Sequence, residues 1–240
     1  MRSLIIFFFL VLMGISCRDV FQRVQGNGDI ESKSFAFDDF EKVEVSGSFK
    51  VKIIPSDEHR AVITTDENLL QYIRIDRDGD RLKIRTRNNA NLKPSRDINI
   101  EVYMTRVAKI ELAGSGDIVS QSVLEHPDRL EVTIAGSGDA NIDVKSPEIK
   151  SSIAGSGKII IRGKTRDLNL RIAGSGDFLG EELMCETAEL SIAGSGNARV
   201  FASVDLNVKI AGSGNVYYAG APQNIKRSIA GAGVIKEIER

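Results

Sequence analysis

The chain has 240 residues, with 32 Lys+Arg against 33 Asp+Glu and a formal net charge of −1, so it offers no overall field for nucleic acid. Two Cys and two His exclude a disulfide-stapled scaffold and a multi-Cys/His zinc site. Long runs of Ala, Leu, Glu and Lys are missing while Val, Ile, Gly and Ser abound, which argues against a helix-rich globule.

The chain opens on Met1-Arg2-Ser3, a short positive region, followed by an apolar run from Leu4 to Met13 and then Gly14-Ile15-Ser16-Cys17. A run of that length reaches about 15 Å as a helix, roughly half of a bilayer core. Residues 1–16 are therefore expected to be a signal peptide of the lipoprotein type. A small residue directly before Cys17 is similar to a bacterial lipobox, so Cys17 is expected to carry lipid, become the mature N-terminus and anchor the protein to the membrane. Ordinary secretion and a retained anchor helix are the alternatives. With Cys17 used in this way, Cys185 lacks an intrachain partner and, beside Leu183 and Met184, reads as a small buried apolar residue.

Residues 17–37 are expected to form the lipidated N-terminus and a tether, within which Val24-Gln25-Gly26-Asn27-Gly28-Asp29-Ile30 looks like a degenerate glycine corner. Residues 38–109 read as a β-rich but less regular section, continuous with the C-terminal half of the chain or packed on it. There Val43/Val45, Phe49/Val51/Ile53 and Leu82/Ile84 alternate around turn signals. Asp76-Arg77-Asp78-Gly79-Asp80 predicts a hairpin or coil turn, and Val45-Ser46-Gly47-Ser48-Phe49 a further degenerate corner.

Residues 110–240 form a repeat. Ala-Gly-Ser-Gly begins at Ala113, Ala135, Ala154, Ala173, Ala193 and Ala211, and Ala-Gly-Ala-Gly at Ala230, with successive offsets of 22, 19, 19, 20, 18 and 19 residues. Apolar residues alternate before the corners (Leu130/Val132/Ile134, Leu168/Leu170/Ile172, Leu206/Val208/Ile210) and again after them (Ile159/Ile161, Ala198/Val200, Val216/Tyr218). A period of two means strands with one face buried, so Glu131, Thr133, Asn169 and Arg171 should face water. The fold expected is all-β: a right-handed parallel β-helix, or solenoid, of about 19–20 residues per coil, with coils about 4.8 Å apart. Its corner glycines (Gly114 and Gly116, Gly136 and Gly138, Gly155 and Gly157, Gly174 and Gly176, Gly194 and Gly196, Gly212 and Gly214, Gly231 and Gly233) should lie one above another, with the serine hydroxyls bonding along the stack. An array of antiparallel hairpins is the competing arrangement. Lys236-Glu237-Ile238-Glu239-Arg240 places charge on the last coil as a guard against edge-to-edge association.

Repeated Ile-Ala-Gly-Ser-Gly-Asp/Asn corners behind a lipoprotein-like signal, with F-x-x-V-x-V-S-G-S-F-x-V from Phe40 to Val51, resemble the putative auto-transporter adhesin, head GIN domain family over about residues 38–235. The resemblance implies a β-helix-like fold and a place in the cell envelope of Bacteroidetes-type bacteria. It also implies adhesion, and it brings no catalytic residues to transfer.

The corner itself is a poor reaction centre. A nucleophile elbow needs Gly two residues on each side of its Ser, and Ser115 has Ala113 and Asp117 there. A phosphate-binding glycine loop needs a following helix, whereas each corner runs into another alternating strand. No cofactor is therefore expected. Asp117, Asp139 and Asp177 follow their corners and read first as turn residues, with occasional Ca²⁺ ligation as the alternative; Lys158 holds the same position mid-stack. His59 and His126 are expected in solvent-exposed turns. Tyr217 has outward parity beside inward Tyr218 and is the candidate contact residue for an extracellular glycan or protein. The function expected is a non-enzymatic, adhesin-like binding or scaffolding module of the outer envelope, facing the periplasm or the surface. A polysaccharide-processing β-helix enzyme and a structural periplasmic spacer are the alternatives, and the oligomeric state is left open.

Overall fold

The computed structural model describes residues 23–87 and 90–239. The expected signal peptide and Cys17 lie outside the described residues.

Each repeat contributes one strand before its corner and one after it. The strands before the corners are β10 (Lys109–Gly114), β12 (Arg129–Gly136), β14 (Glu148–Gly155), β16 (Asp167–Gly174), β19 (Thr187–Gly194), β21 (Asp205–Gly212) and β23 (Asn224–Gly231), joined by parallel pairing into one sheet, sheet I. Those after the corners are β11 (Asp117–Glu125), β13 (Asp139–Lys145), β15 (Lys158–Lys164), β17 (Asp177–Gly180), β20 (Asn197–Phe201), β22 (Asn215–Ala219) and β24 (Val234–Glu237), which form sheet II with the short β18 (Leu183–Met184) beside β15. The chain is thus the expected parallel β-helix, flattened into two facing sheets. The inward residues of both sheets meet in one core: Leu130, Val132 and Ile134 from sheet I, and Ile142, Ile159, Ile161 and Phe178 from sheet II, are each no more than 1% exposed.

The stack keeps strict register. Ala113 lies opposite Ala135 and Gly114 opposite Gly136, and the pairing repeats at every later corner. The first glycine of each repeated corner has φ between 123° and 135°, the region L side chains rarely adopt. The second has no such requirement, but a Cβ on Gly157 would run into the Gly138 carbonyl and the Ile134 side chain of the coil below. Corner N–H groups donate down the stack, Ser137 N to Gly114 O at 3.0 Å and Ser156 N to Gly136 O at 2.9 Å; Ala232 N does the same to Gly212 O at 3.0 Å without a hydroxyl. Of the corner serines among the described residues, only Ser48 and Ser115 join hydroxyls, at 3.0 Å, so the expected serine ladder is replaced by a backbone ladder. The longest offset, 22 residues, is absorbed by a bulge in β11 between Val119 and Val123. Within it the Ser120 Oγ accepts the Asp143 N–H at 2.9 Å.

At the N-terminal end, order along the chain and order in space part company. β1 (Arg23–Gln25) and β2 (Ile30–Ala36) come first, then β3 (Lys42–Gly47) and β4 (Lys50–Pro55), which form a coil whose corner is Val45–Phe49, in register with Ala113 and Gly114. The chain continues as β5 (Arg60–Asp66), a 3₁₀ turn at Glu67–Tyr72, and β6 (Ile73–Asp78), which makes a hairpin around Gly79 with β7 (Arg81–Thr86). After β8 (Asn91–Lys93) comes β9 (Asn99–Met104). β7 pairs in parallel with β3, and β9 with β4, so this later stretch builds a coil beneath the earlier one. The chain then passes the β3–β4 coil to start β10 on its other side.

The end is closed by antiparallel strands, β6 on β7 in sheet I and β5 then β2 on β9 in sheet II. The expected tether therefore includes two strands, because Ile30–Ala36 pairs fully with Arg60–Asp66. Its glycines do not join the corner column either. Gly26 N–H donates to Lys93 O at 2.9 Å, and Gly28 N–H to the Asp66 carboxylate at 2.7 Å. Asp66 is fully buried and also accepts the Ser95 N–H at 2.9 Å. Burial opposes its charge, yet the bonds from Ser95 and Gly28 outweigh that and hold its carboxyl below the ordinary value.

The other end carries no such cover among the described residues. β23 is exposed along its whole length, and its inner column, which runs Val132, Ser151, Leu170, Leu190 and Val208 through earlier coils, ends in Arg227. Arg227 donates to the Tyr218 hydroxyl at 2.8 Å, an inward-facing charge of the kind that discourages strand addition. Lys236 and Glu237 lie in β24, the outermost described strand of sheet II.

Candidate functional site

The structure places the expected site residues on three distinct surfaces. The first is the corner edge. Asp117, Asp139 and Asp177 stand in one column on the outer side of sheet II, with Lys50 below them, Lys158 between Asp139 and Asp177, and Asn197 and Asn215 above. Asp139 Oδ1 accepts the Lys158 N–H at 3.0 Å, Asp177 Oδ1 accepts from Asn197 Nδ2 at 3.0 Å, and Asn197 Oδ1 from Asn215 Nδ2 at 3.0 Å. The column is a side-chain ladder that repeats the backbone bonds beside it. Among the described residues no three His, Cys, Asp or Glu side chains converge as a metal would need.

The second surface is the outer face of sheet II. One residue per coil forms a row in register: Lys52, Val119, Asn141, Ile160, Leu179, Arg199, Tyr217 and Lys236. Tyr217 faces outward as expected and is half-buried, with the Arg199 guanidinium 5.6 Å from its ring centre. Its apolar neighbours were not anticipated. Ile160 and Leu179 have the outward parity opposite Ile159/Ile161 and Phe178, and Val119 is 38% exposed. The signal was present as Ile159-Ile160-Ile161, where three consecutive isoleucines cannot all point inward.

The third surface is the return edge, opposite the corners. Six stacked returns, from Thr105–Arg106 to Phe201–Ser203, line an open groove of about 940 Å³. At about 4.8 Å per coil its length is roughly 24 Å. Short returns gave no hint of a groove, although Pro127 and Pro147 recur at equivalent places and Arg106 and Lys164 lack acidic neighbours in sequence. His126 lines it but is not in an exposed turn: its side chain is 12% exposed, and its Nδ1 accepts the backbone N–H groups of Asp128 and Arg129 at 3.2 and 3.0 Å. His59, 15% exposed, is likewise covered, packed edge-on against Phe40 with Nε2 2.8 Å from Asp39. Both histidines are therefore fixed in structural contacts. Cys185 is buried in the groove wall and donates to Phe201 O at 2.7 Å; burial, with Asp167 nearby, pushes its thiol up to about 12, far from a nucleophilic thiolate.

No curated protein matches the chain. Among solved structures it is similar to a putative adhesin from Bacteroides fragilis, at 19% identity and a TM-score of 0.85, covering 90% of this chain and 100% of that one. It is similar also to a putative lipid binding protein from Parabacteroides distasonis, at 26% identity and a TM-score of 0.76, covering 91% and 100%. A putative adhesin from Parabacteroides merdae shares 21% identity with a TM-score of 0.71, again covering 91% and 100%. These likenesses extend over the capped N-terminal coils as well as the repeats. A family model matches residues 39–222, from just before the first coil to the strand that carries Tyr217, and the chain accordingly belongs to the putative auto-transporter adhesin, head GIN domain family.

Proposed function

We propose that the protein is a non-enzymatic module of the bacterial cell envelope, held at the membrane by lipid on Cys17, that binds an extended extracellular glycan or protein through the outer face of sheet II. The row from Val119 to Tyr217 carries this reading. It sets one outward side chain per coil on a rigid sheet, and several of them are apolar where water would otherwise favour polar residues. A partner with its own linear repeat can match such a row along its length, with Tyr217 supplying the aromatic contact and Arg199 and Lys236 the charge beside it. Membership of an adhesin-like family supports a place at the cell envelope or surface.

Probing a glycan and matrix-protein array with the purified protein tests the reading. Binding should fall at least tenfold in Tyr217→Ala and in Leu179→Glu, both at outward positions that leave the core intact. Turnover of a polysaccharide by the protein, or array binding indifferent to both substitutions, would refute it. Separately, Cys17→Ala should release the protein from the membrane fraction, and mass spectrometry of the mature N-terminus should find lipid on Cys17.

A further inference from the structure

The return groove opens at the edge opposite the corners and shares no lining residue with the row on the outer face of sheet II, and its lining is graded along the stack. The four returns nearer the N-terminal cap supply Arg106, Lys145, Lys164 and Arg166, whereas Met184, Cys185 and Phe201 come from the two nearer the C-terminus. Lys145 is paired with Glu125 at 3.3 Å and Arg166 with Asp167 at 2.8 Å. The side-chain cations of Arg106 and Lys164 have no partner among the described residues. Two carboxylates, Glu125 and Glu186, also line the groove, so cations outnumber acids there in a chain whose net charge is −1. Within the cationic stretch, on the same return as Lys145, lies Ser146, only 4% exposed, whose hydroxyl has no hydrogen-bond partner among the described residues. A buried hydroxyl without a partner is costly unless something else completes it.

We propose that this groove binds a single-chain anionic amphiphile. The acidic head lies among Arg106, Lys145 and Lys164 and accepts a hydrogen bond from Ser146, while the hydrocarbon chain runs along the stack over Met184, Cys185 and Phe201. The volume, about 940 Å³, falls within the range of small-molecule sites. A linear acidic polysaccharide fits less well. It would need cationic or hydrogen-bonding partners on every return, and the last returns instead present Met184, Phe201 and the like charge of Glu186. A neutral saccharide would need aromatic platforms, and among the described lining residues Phe201 is the one Phe, Tyr or Trp, with His126 tied to the Asp128 and Arg129 amides.

Calorimetric titration of the purified protein with dodecanoate, dodecanol and heparin tests the assignment. Dodecanoate should bind one to one and at least tenfold more tightly than dodecanol, which has the same chain without the charge. The double variant Arg106→Glu/Lys164→Glu changes two exposed side chains and should weaken dodecanoate at least tenfold, leaving dodecanol unchanged. Tyr217→Ala should keep the parent affinity for dodecanoate, which separates the groove from the face proposed for adhesion. Equal affinity for dodecanoate and dodecanol, indifference to the charge reversal, loss of binding in Tyr217→Ala, binding of heparin alone, or binding of none of the three would each overturn it.

Discussion

Within one corner, two glycines of the same tetrapeptide are required for different physical reasons. Gly155 combines a φ of 125° with a close approach, since a Cβ there would strike the Gly136 carbonyl of the coil below. That neighbour is backbone, held in its own ladder, and cannot move aside. Gly28 has a comparable positive φ, 89°, but open space where a Cβ would stand. Gly155→Ala should therefore cost about 3 kcal/mol, strain and clash together, whereas Gly28→Ala should cost about 1 kcal/mol from strain alone. Urea denaturation of both variants checks the difference, and equal costs would mean that the stacked corners yield more readily than their geometry implies. Serine is the dispensable member of the corner. Its N–H carries the ladder, which Ala232 reproduces.

Strands differ in what secures them. Strands of the repeats are paired on both sides by near-copies of themselves, so each is fixed by register as well as by burial. The N-terminal β1 and β2 have no such template and depend on Asp66, which joins the Gly28 and Ser95 amides beneath them. Removing its carboxylate in Asp66→Ala should destabilise the cap by about 2 kcal/mol, because two charge-assisted bonds are lost and two amides are left to find water. Hydrogen exchange should show β1 and β2 losing protection while β12–β21 keep theirs. The folded carboxyl lies below its ordinary value of 3.8, so this contribution is fully present above that pH and is lost as pH falls through the folded value. The cap should accordingly open before the solenoid on acid titration, and a single transition shared by all strands would contradict this.

For the whole molecule, repetition makes stability close to a sum over neighbouring coils. Deleting residues 154–172 removes one 19-residue offset and joins Ile153 to Ala173, leaving every corner and every inward column in register. The shortened chain should fold with the same circular dichroism per residue and a smaller denaturant slope, in proportion to the surface lost. Deleting one residue fewer would turn an entire strand inside out and should abolish folding. Comparing the two deletions by circular dichroism and urea titration tests whether register, rather than length, specifies the rod.

Much of this architecture was legible in the sequence, for one physical reason. A parallel stack places each residue against the one a single repeat away, so contacts that are distant along the chain are written as a period. The alternation through Leu130/Val132/Ile134 assigned the buried face, and the recurring Gly-Ser-Gly located the corners, because both follow from local backbone geometry. The corner at Val45–Phe49 and the outward side of Tyr217 follow from the same rules. What the tertiary structure alone decided has no period. The β7–β9 coil slips beneath β3–β4, β2 closes the end in antiparallel pairing, and Asp66 fastens it, through contacts made once in the molecule. The groove belongs with these. Arg106, Ser146, Lys164 and Phe201 lie on separate returns, and nothing along the chain marks them as neighbours until the coils are stacked.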